Sequence, residues 1–358
     1  MTNVLLFAAG LAALVGGAEL LVRGASRLAL SFGISPLVVG LTIVAFGTSA
    51  PEMAVTVGAV LGGQTDIAVG NVVGSNIFNV LLILGASALI VPLVVNIQLI
   101  RQEVPIMLGA SLVLVALAVD RRVTMHEGGL LVVLLLAYTV FLIRQSRRES
   151  LAARNEYAQE FEAAAPGAWD AKWPVQVLLV IAGLVLLVLG SDWLVTAAVA
   201  FARALGVSDL VIALTIVAAG TSLPEVATSI TAAVKGERDI AVGNVVGSNT
   251  FNILGSLGLA ALASGSSGLA MAPSVLNFDI WVMVAVALAC LPVFVTGREI
   301  ARWEGAVFVL YYVAYVAYLI LAAQQHDALP AYSSIMTSFV VPLTVVTLIV
   351  AVLRPRAV

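Results

Sequence analysis

The sequence predicts an all-α integral membrane protein made of two inverted five-helix repeats, broken helices at the bilayer midplane and one extra C-terminal helix. Three observations predict this fold. Only 10% of the 358 residues are charged and 61% are hydrophobic, whereas a soluble domain carries roughly a quarter charged residues. Long apolar runs follow one another along the chain, and two stretches repeat each other. With so little charge, most of the surface must face lipid.

The apolar runs divide into about eleven spanning segments. Roughly 20 helical residues cross the hydrocarbon core, and the runs are continuous rather than alternating, which indicates helices. The first five segments are predicted at 4–29, 36–61, 67–93, 102–120 and 127–144. The second five are predicted at 174–202, 209–234, 240–264, 277–297 and 303–323, with an eleventh at 334–353.

The positions of Lys and Arg predict the orientation. Loops that follow odd-numbered segments lie on one side of the membrane. Of the 17 basic residues, all but Arg121, Arg122 and Arg203 lie on that side. Basic loops stay in the cytoplasm, so we expect the N-terminus outside. The sequence has no large cytoplasmic regulatory loop, which favours a prokaryotic cell inner membrane. The first repeat is then residues 1–145, and the cytoplasmic linker is 146–173. The second repeat is 174–325, and the extra helix with its tail is 326–358.

Composition and motifs argue against several functions. The sequence has no basic patch of the kind that binds nucleic acid. Its single cysteine, Cys290, lies in an apolar run, which predicts neither disulfides nor a thiolate metal cluster. No Ser/His/Asp set or phosphate-binding loop is evident, so we expect neither an enzyme nor a bound cofactor. The sequence predicts no oligomeric state.

The internal repeat predicts where a substrate binds. Residues 38–79 and 211–252 align without a gap, and 27 of the 42 positions are identical. The first copy reads GLTIVAFGTSAPE and DIAVGNVVGSNIFN, and the second reads ALTIVAAGTSLPE and DIAVGNVVGSNTFN. Because each repeat has five spanning segments, the second copy enters the membrane from the opposite side. Inverted repeats of this kind form a site near the midplane that opens alternately to each side.

Polar residues interrupt the second segment and its copy. Pro51 lacks an amide hydrogen, so we expect free carbonyl groups upstream, near Ala45. Thr48 and Ser49 lie four and three residues before Glu52, which places hydroxyls and carboxylate on one helical face. The equivalent residues of the second repeat are Ala218, Thr221, Ser222 and Glu225. A carboxylate at bilayer depth is a functional candidate by default, and two carboxylates among neutral oxygens suit a hard cation such as Ca²⁺.

The third segment adds a stripe of polar residues. Asn71, Ser75 and Asn79 are four residues apart and share one face. Their counterparts in the second repeat are Asn244, Ser248 and Asn252. Asn76 and Asn249 point elsewhere, and we expect them to bond to the broken helices.

At these motifs the sequence resembles the sodium/calcium exchanger family, within the calcium/cation antiporter superfamily. GTSxPE and GNVVGSNxFN each occur twice, in inverted halves. The resemblance implies a ten-helix core that exchanges about three Na⁺ for one Ca²⁺ across the bilayer, so that net charge moves. It also implies ion ligands at Thr48, Ser49, Glu52, Ser75, Asn79, Thr221, Ser222, Glu225, Ser248 and Asn252, with the carbonyls of Ala45 and Ala218.

Two departures from the family bear on function. The eleventh segment is extra to the ten-helix core. Some relatives, including potassium-dependent exchangers, carry Asp at the position of Asn252. With Asn at both 79 and 252, the two glutamates give a formal charge of −2 that balances one Ca²⁺. The sequence therefore predicts exchange that needs no potassium.

Three other functions stay open at this point. In a proton/calcium antiporter, Glu52 and Glu225 would release protons, but proton-coupled relatives tend to have an acidic residue where this chain has Gly74 or Ser75. An ion channel is less consistent with inverted repeats and broken helices, which suit alternating access. A purely structural membrane protein would explain repeated glycines, which let helices pack closely, but not paired polar motifs at bilayer depth.

Overall fold

The computed structural model describes residues 2–148, 170, 172–205 and 218–353, and these are almost entirely helical. Nine of the described helices are long and apolar enough to span a membrane, and one further span consists of two helices, bent by 42°. In chain order the helices are α1 (Asn3–Phe32), α2 (Pro36–Thr48), α3 (Ala50–Leu61), α4 (Ile67–Ile90), α5 (Leu99–Asp120), α6 (Met125–Ser146), α7 (Trp173–Ala204), α8 (Leu223–Val234), α9 (Arg238–Ala263), α10 (Val275–Val295), α11 (Arg302–Ala323) and α12 (Leu329–Ala351).

The helices agree with the predicted segments. The bent pair α2–α3 forms the second segment, and the extra C-terminal segment is helix α12. The seventh segment is only partly described, because 209–217 lie outside the described residues. Its described part contains a short helical turn, Ala218–Gly220, followed by α8. Helix α5 begins at Leu99 rather than at 102. Its first turn includes Glu103, whose burial is possible because Gln98 and Tyr138 donate hydrogen bonds to the two carboxylate oxygens at 2.9 and 2.8 Å.

Two short β-ribbons show that the repeats are inverted. Strand β1 (Leu93–Val94) follows α4 and pairs antiparallel with β4 (Glu299–Ile300), which precedes α11. Strand β2 (Arg122–Val123) follows α5 and pairs antiparallel with β3 (Leu269–Ala270), which follows α9. The spanning helix α5 separates β1 from β2, so the ribbons lie at opposite ends of the bundle. The connections after α4 and α9 are therefore on opposite sides of the membrane, as the repeat predicts.

The first helices of the two repeats pack backbone to backbone. Gly10, Gly17 and Gly24 recur every seven residues on α1, opposite Gly183 and Gly190 on α7. A Cβ atom at Gly17 would lie 2.9 Å from the Gly183 carbonyl oxygen, and one at Gly183 would lie 2.6 Å from the Leu21 nitrogen. Small residues let transmembrane helices approach this closely, because association in lipid depends on van der Waals contact.

Helices α4 and α9 form the centre of the bundle. They are the most buried of the described spans, whereas α12 lies at the periphery. Each contains a π-helical turn, at Asn79–Leu84 in α4 and Asn252–Leu257 in α9. Such turns are frequent at functional sites, and these two begin at Asn79 and Asn252, which are equivalent in the two repeats. Of the repeated glycines, Gly243 and Gly247 contact the backbone of α2 around Leu41, whereas Gly70 and Gly74 make no such close approach to another described helix.

A polar cluster connects α1 to the turn between α8 and α9. The Ser26 hydroxyl donates to Glu237 Oε1 at 2.8 Å, while Glu237 Oε2 is buried without a partner among the described residues. Burial raises the pKa of Glu237 to about 7. The charged groups that face this carboxyl are Arg27 and Lys235, which lower its pKa, and Asp239, which raises it.

Candidate cation-binding site

The break between α2 and α3 lies at Ser49, where the backbone leaves helical geometry with ψ near 1°. The Ser49 amide still donates to the Ala45 carbonyl at 3.0 Å. The carbonyl expected to lose its helical donor is that of Gly47, four residues before Pro51, because the proline has no N–H. The prediction that the proline frees the Ala45 carbonyl is therefore wrong, although a carbonyl oxygen keeps a second lone pair for another ligand.

The second broken helix follows the same rule. Pro224 removes the amide that would bond to the Gly220 carbonyl, and the Ser191 hydroxyl of α7 donates to that oxygen instead, at 2.5 Å. The carbonyl freed by the proline is thus that of Gly220. The Ser222 amide donates to the Ala219 carbonyl at 3.2 Å, so the free carbonyl at Ala218 stays a prediction. Sequence reasoning did not select Ser191, since the equivalent position of the first repeat is Ala18, which has no hydroxyl.

Two buried carboxylates, one from each repeat, form the core of the site. The side chains of Glu52 on α3 and Glu225 on α8 are 0% exposed. Ser222 donates to Glu52 Oε1 at 2.9 Å, and Ser49 donates to Glu225 Oε1 at 3.0 Å. The Ser222 hydroxyl also lies 3.4 Å from that of Ser75 on α4. Each carboxylate is held by the serine of the opposite repeat, so the two GTSxPE motifs face each other.

A set of four asparagines joins α4 to α9 beside the carboxylates. Asn79 Nδ2 donates to Asn249 Oδ1 at 3.0 Å, and Asn252 Nδ2 donates to Asn76 Oδ1 at 3.2 Å. Asn76 and Asn249 also donate to each other's backbone carbonyl oxygen, at 3.2 and 3.3 Å. The expectation that these two bond to the broken helices is wrong. Helical periodicity predicts which way a side chain points, but it does not predict which neighbouring helix lies there.

The outer asparagines of the polar stripes have a different role. Asn71 Nδ2 donates to the Thr56 hydroxyl at 3.1 Å, and Asn244 Nδ2 donates to the Ser229 hydroxyl at 2.9 Å. Thr48 donates to Asn244 Oδ1 at 3.0 Å and lies near the carbonyl groups of its own helix. These contacts pack α4 against α3 and α9 against α8 and α2.

Several oxygen atoms of the selected residues are buried without a hydrogen-bond partner in the described part of the chain. They are Glu52 Oε2, Glu225 Oε2, Asn79 Oδ1, Asn252 Oδ1, Ser248 Oγ and Thr221 Oγ1. A buried polar atom left unsatisfied costs about 1–3 kcal/mol, and two neighbouring carboxylates repel each other. Carboxylate, amide and hydroxyl oxygens are the ligands that hard cations prefer. The arrangement can therefore bind a cation with oxygens from both repeats.

Comparisons with known proteins agree with this arrangement. The family model for the sodium/calcium exchanger protein matches residues 2–144 and 175–321. The chain is 35% identical to sodium/calcium exchanger MaX1 of Methanosarcina acetivorans, with 88% of this chain and 98% of that protein covered. It is 37% identical to inner membrane protein YrbG of Escherichia coli, with 71% and 77% covered.

Solved structures extend the agreement to the fold. A structure of the sodium-calcium exchanger NCX_Mj soaked with zero Na⁺ and Ca²⁺ superimposes with a TM-score of 0.75 at 30% identity, covering 89% of this chain and 99% of that one. A second, soaked with 10 mM Na⁺ and 10 mM Sr²⁺, gives a TM-score of 0.74 at 29% identity, covering 88% and 98%. The family consists of membrane transporters rather than enzymes. Repeats, site and comparisons together show that this chain belongs to the sodium/calcium exchanger family.

Proposed function

We propose that this protein exchanges Na⁺ for Ca²⁺ by alternating access, moves net charge in each cycle and requires no K⁺. The observation that carries the proposal is the pair of fully buried carboxylates, Glu52 and Glu225, each held by a serine of the other repeat. Each keeps its second oxygen buried and without a partner among the described residues. A pair of ionised carboxylates is costly in a membrane unless a cation binds between them.

The proposed ligands supply both charge and neutral oxygens. Calcium takes about 6–8 oxygen ligands in a flexible arrangement, and side chains with backbone carbonyls can provide that number here. The proposed ligand residues are Ala45, Thr48, Ser49, Glu52, Ser75, Asn79, Ala218, Thr221, Ser222, Glu225, Ser248 and Asn252. The two carboxylates alone carry formal charge, −2 in total, which balances one Ca²⁺. This balance supports potassium independence.

The division of the site between the repeats supports alternating access. Ser49 and Glu52 belong to the first repeat, whereas their partners Glu225 and Ser222 belong to the second. Any movement of one repeat against the other therefore changes the environment of both carboxylates at once. Inverted repeats allow such movement to open the site first to one side and then to the other.

Charge supports the proposed orientation. We place the N-terminus outside and the 146–173 linker in the cytoplasm of a prokaryotic cell, with repeats at 1–145 and 174–325 and the extra helix in 326–358. Arg23 and Arg27 pair with Asp170, and Arg27 and Lys235 both lie near Glu237, so these three basic residues lie at one end of the bundle. The positive-inside rule assigns that end to the cytoplasm.

The test is calcium uptake into sodium-loaded proteoliposomes diluted into sodium-free, potassium-free buffer. The wild type is expected to take up Ca²⁺ only with an outward Na⁺ gradient, and faster when the interior is held positive. Glu52→Gln is expected to abolish uptake. Glu103→Gln is the matched control, because Glu103 is equally buried but lies outside the site, and it is expected to retain uptake.

Three outcomes would overturn parts of the proposal. Uptake driven by a pH gradient without Na⁺ would indicate proton/calcium antiport. A requirement for K⁺ would contradict the charge balance at Asn79 and Asn252. Sodium-dependent uptake that survives in Glu52→Gln would remove the ion site from these residues.

A further inference from the structure

We propose that Asn76 and Asn249 are positioning residues that fix the amide orientation of the ligands Asn79 and Asn252, so that each presents oxygen to the cation. This inference deepens the proposed function and rests on it. All four side chains are at most 2% exposed. Water is therefore not available to replace a lost hydrogen bond.

The argument begins with the chemistry of the amide group. An asparagine amide has one end that accepts hydrogen bonds and one end that donates them, and the two ends have nearly the same shape. Only the oxygen end can bind a cation. Because Asn79 Nδ2 donates to Asn249 Oδ1, the Asn79 oxygen must face the other way. That oxygen is one of the buried atoms without a partner in the described part of the chain. The Asn252 amide is fixed in the same way by Asn76 Oδ1.

The positioning amides are themselves fixed. Asn249 Nδ2 donates to the Asn76 carbonyl oxygen at 3.3 Å and contacts Met107 Sδ at 3.5 Å. A flip of the Asn249 amide would place its oxygen against these two electron-rich atoms. Asn76 Nδ2 is held equivalently by the Asn249 carbonyl oxygen at 3.2 Å and by Met283 Sδ at 3.6 Å. Neither positioning amide can rotate without losing its own hydrogen bond in a buried environment.

The hydrogen bonds that orient the two ligand amides connect one repeat to the other, and this affects transport. Each ligand is oriented by the other repeat, since Asn79 depends on Asn249 and Asn252 depends on Asn76. The four hydrogen bonds connect α4 and α9 where their π-helical turns begin. Without them, either ligand amide could turn its NH₂ group towards a bound cation. Loss of one outer partner of a metal ligand typically weakens metal binding by about 10–100-fold.

The test is a double-mutant cycle that separates orientation from packing. Asn249→Ala in the wild-type background is expected to weaken equilibrium ⁴⁵Ca²⁺ binding to the purified protein by about 10-fold or more. Asn79→Asp replaces the ligand amide by a carboxylate, which presents oxygen at both ends and needs no orientation. In that background Asn249→Ala is expected not to weaken Ca²⁺ binding, because it also removes the acceptor oxygen that would face the new carboxylate. The two substitutions are therefore expected to be coupled.

The controls separate this proposal from the proposed function and from misfolding. Thr250→Val removes a buried hydroxyl next to Asn249 whose hydrogen-bond acceptor in the described part of the chain is the Val246 carbonyl of its own helix. This variant is expected to bind Ca²⁺ as the wild type does. Absence of Ca²⁺ binding in the wild type would refute the function itself. An equal loss on Asn249→Ala in both backgrounds, or unfolding that Asn79→Asp does not rescue, would overturn the orienting role. Unchanged Ca²⁺ affinity in Asn249→Ala would also overturn the orienting role.

Discussion

The contact between α1 and α7 allows two neighbouring glycines to be compared. Gly17 faces α7, and a Cβ atom added there would lie 2.9 Å from both the Gly183 oxygen and the Leu187 nitrogen. Gly16 is the preceding residue of the same helix, and no described atom beyond its own stretch of helix lies within 4 Å of its Cβ position. We predict that Gly17→Ala destabilises the protein and that Gly16→Ala does not.

The magnitude follows from the geometry. Ordinary contact begins at 3.4 Å, so the added methyl group must move two backbones apart by 0.5 Å, the difference between 3.4 and 2.9 Å. Overpacking of this kind costs about 1–3 kcal/mol. Replacing Gly by Ala in a helix interior contributes up to about 1 kcal/mol in the opposite direction. Both variants share that second contribution, so the difference between them isolates the contact and is expected to be about 1–3 kcal/mol.

The assay is reversible unfolding of the purified protein in detergent, with both variants measured against the wild type. Gly17→Ala should unfold at a lower denaturant concentration or temperature than the wild type, and Gly16→Ala at the same or a higher one. Equal stability of the two variants would refute the reasoning. It would mean that α1 and α7 can separate at no cost, so that the close backbone approach contributes nothing to the fold.

Two further predictions concern side chains in the membrane and at its edge. Glu237 has its pKa raised from the ordinary 4.5 to about 7, so its contribution to stability is full below pH 4.5 and is lost as the pH rises through 7. The unfolding temperature should therefore fall more between pH 5 and pH 8 in the wild type than in Glu237→Gln, and equal falls would exclude this carboxyl as the cause. Ser222→Ala removes the hydrogen bond to Glu52, a charge-assisted bond that contributes about 1.5–3 kcal/mol, which corresponds to about 10–150-fold in Ca²⁺ affinity. Ser49→Ala should weaken ⁴⁵Ca²⁺ binding to a similar extent because its bond to Glu225 has nearly the same length, and an effect confined to one of the two serines would contradict equivalent roles.

The sequence by itself determined the helical membrane fold and the inversion of the repeats. Lipid imposes this result, because a spanning segment must be apolar, helical and about 20 residues long. The alignment of 38–79 with 211–252 is visible without any structure. An odd number of spans in each repeat then requires inversion, and the pairing of β1 with β4 and β2 with β3 agrees with it. The sequence also indicated Glu52 and Glu225 as candidates, because charged residues are rare at bilayer depth.

Only the tertiary structure decided which residues meet. Helical periodicity shows that Ser49 and Glu52 share a face, but it does not show that Ser49 bonds to Glu225, 176 residues away. The same holds for Asn76 and Asn249, whose partners lie on the opposite repeat. These contacts depend on how two inverted copies cross at the centre of the bundle, and each copy's sequence specifies only its own helices. The orientation of a ligand amide is therefore a property of the assembled repeats, because its hydrogen-bond partner comes from the other half of the chain.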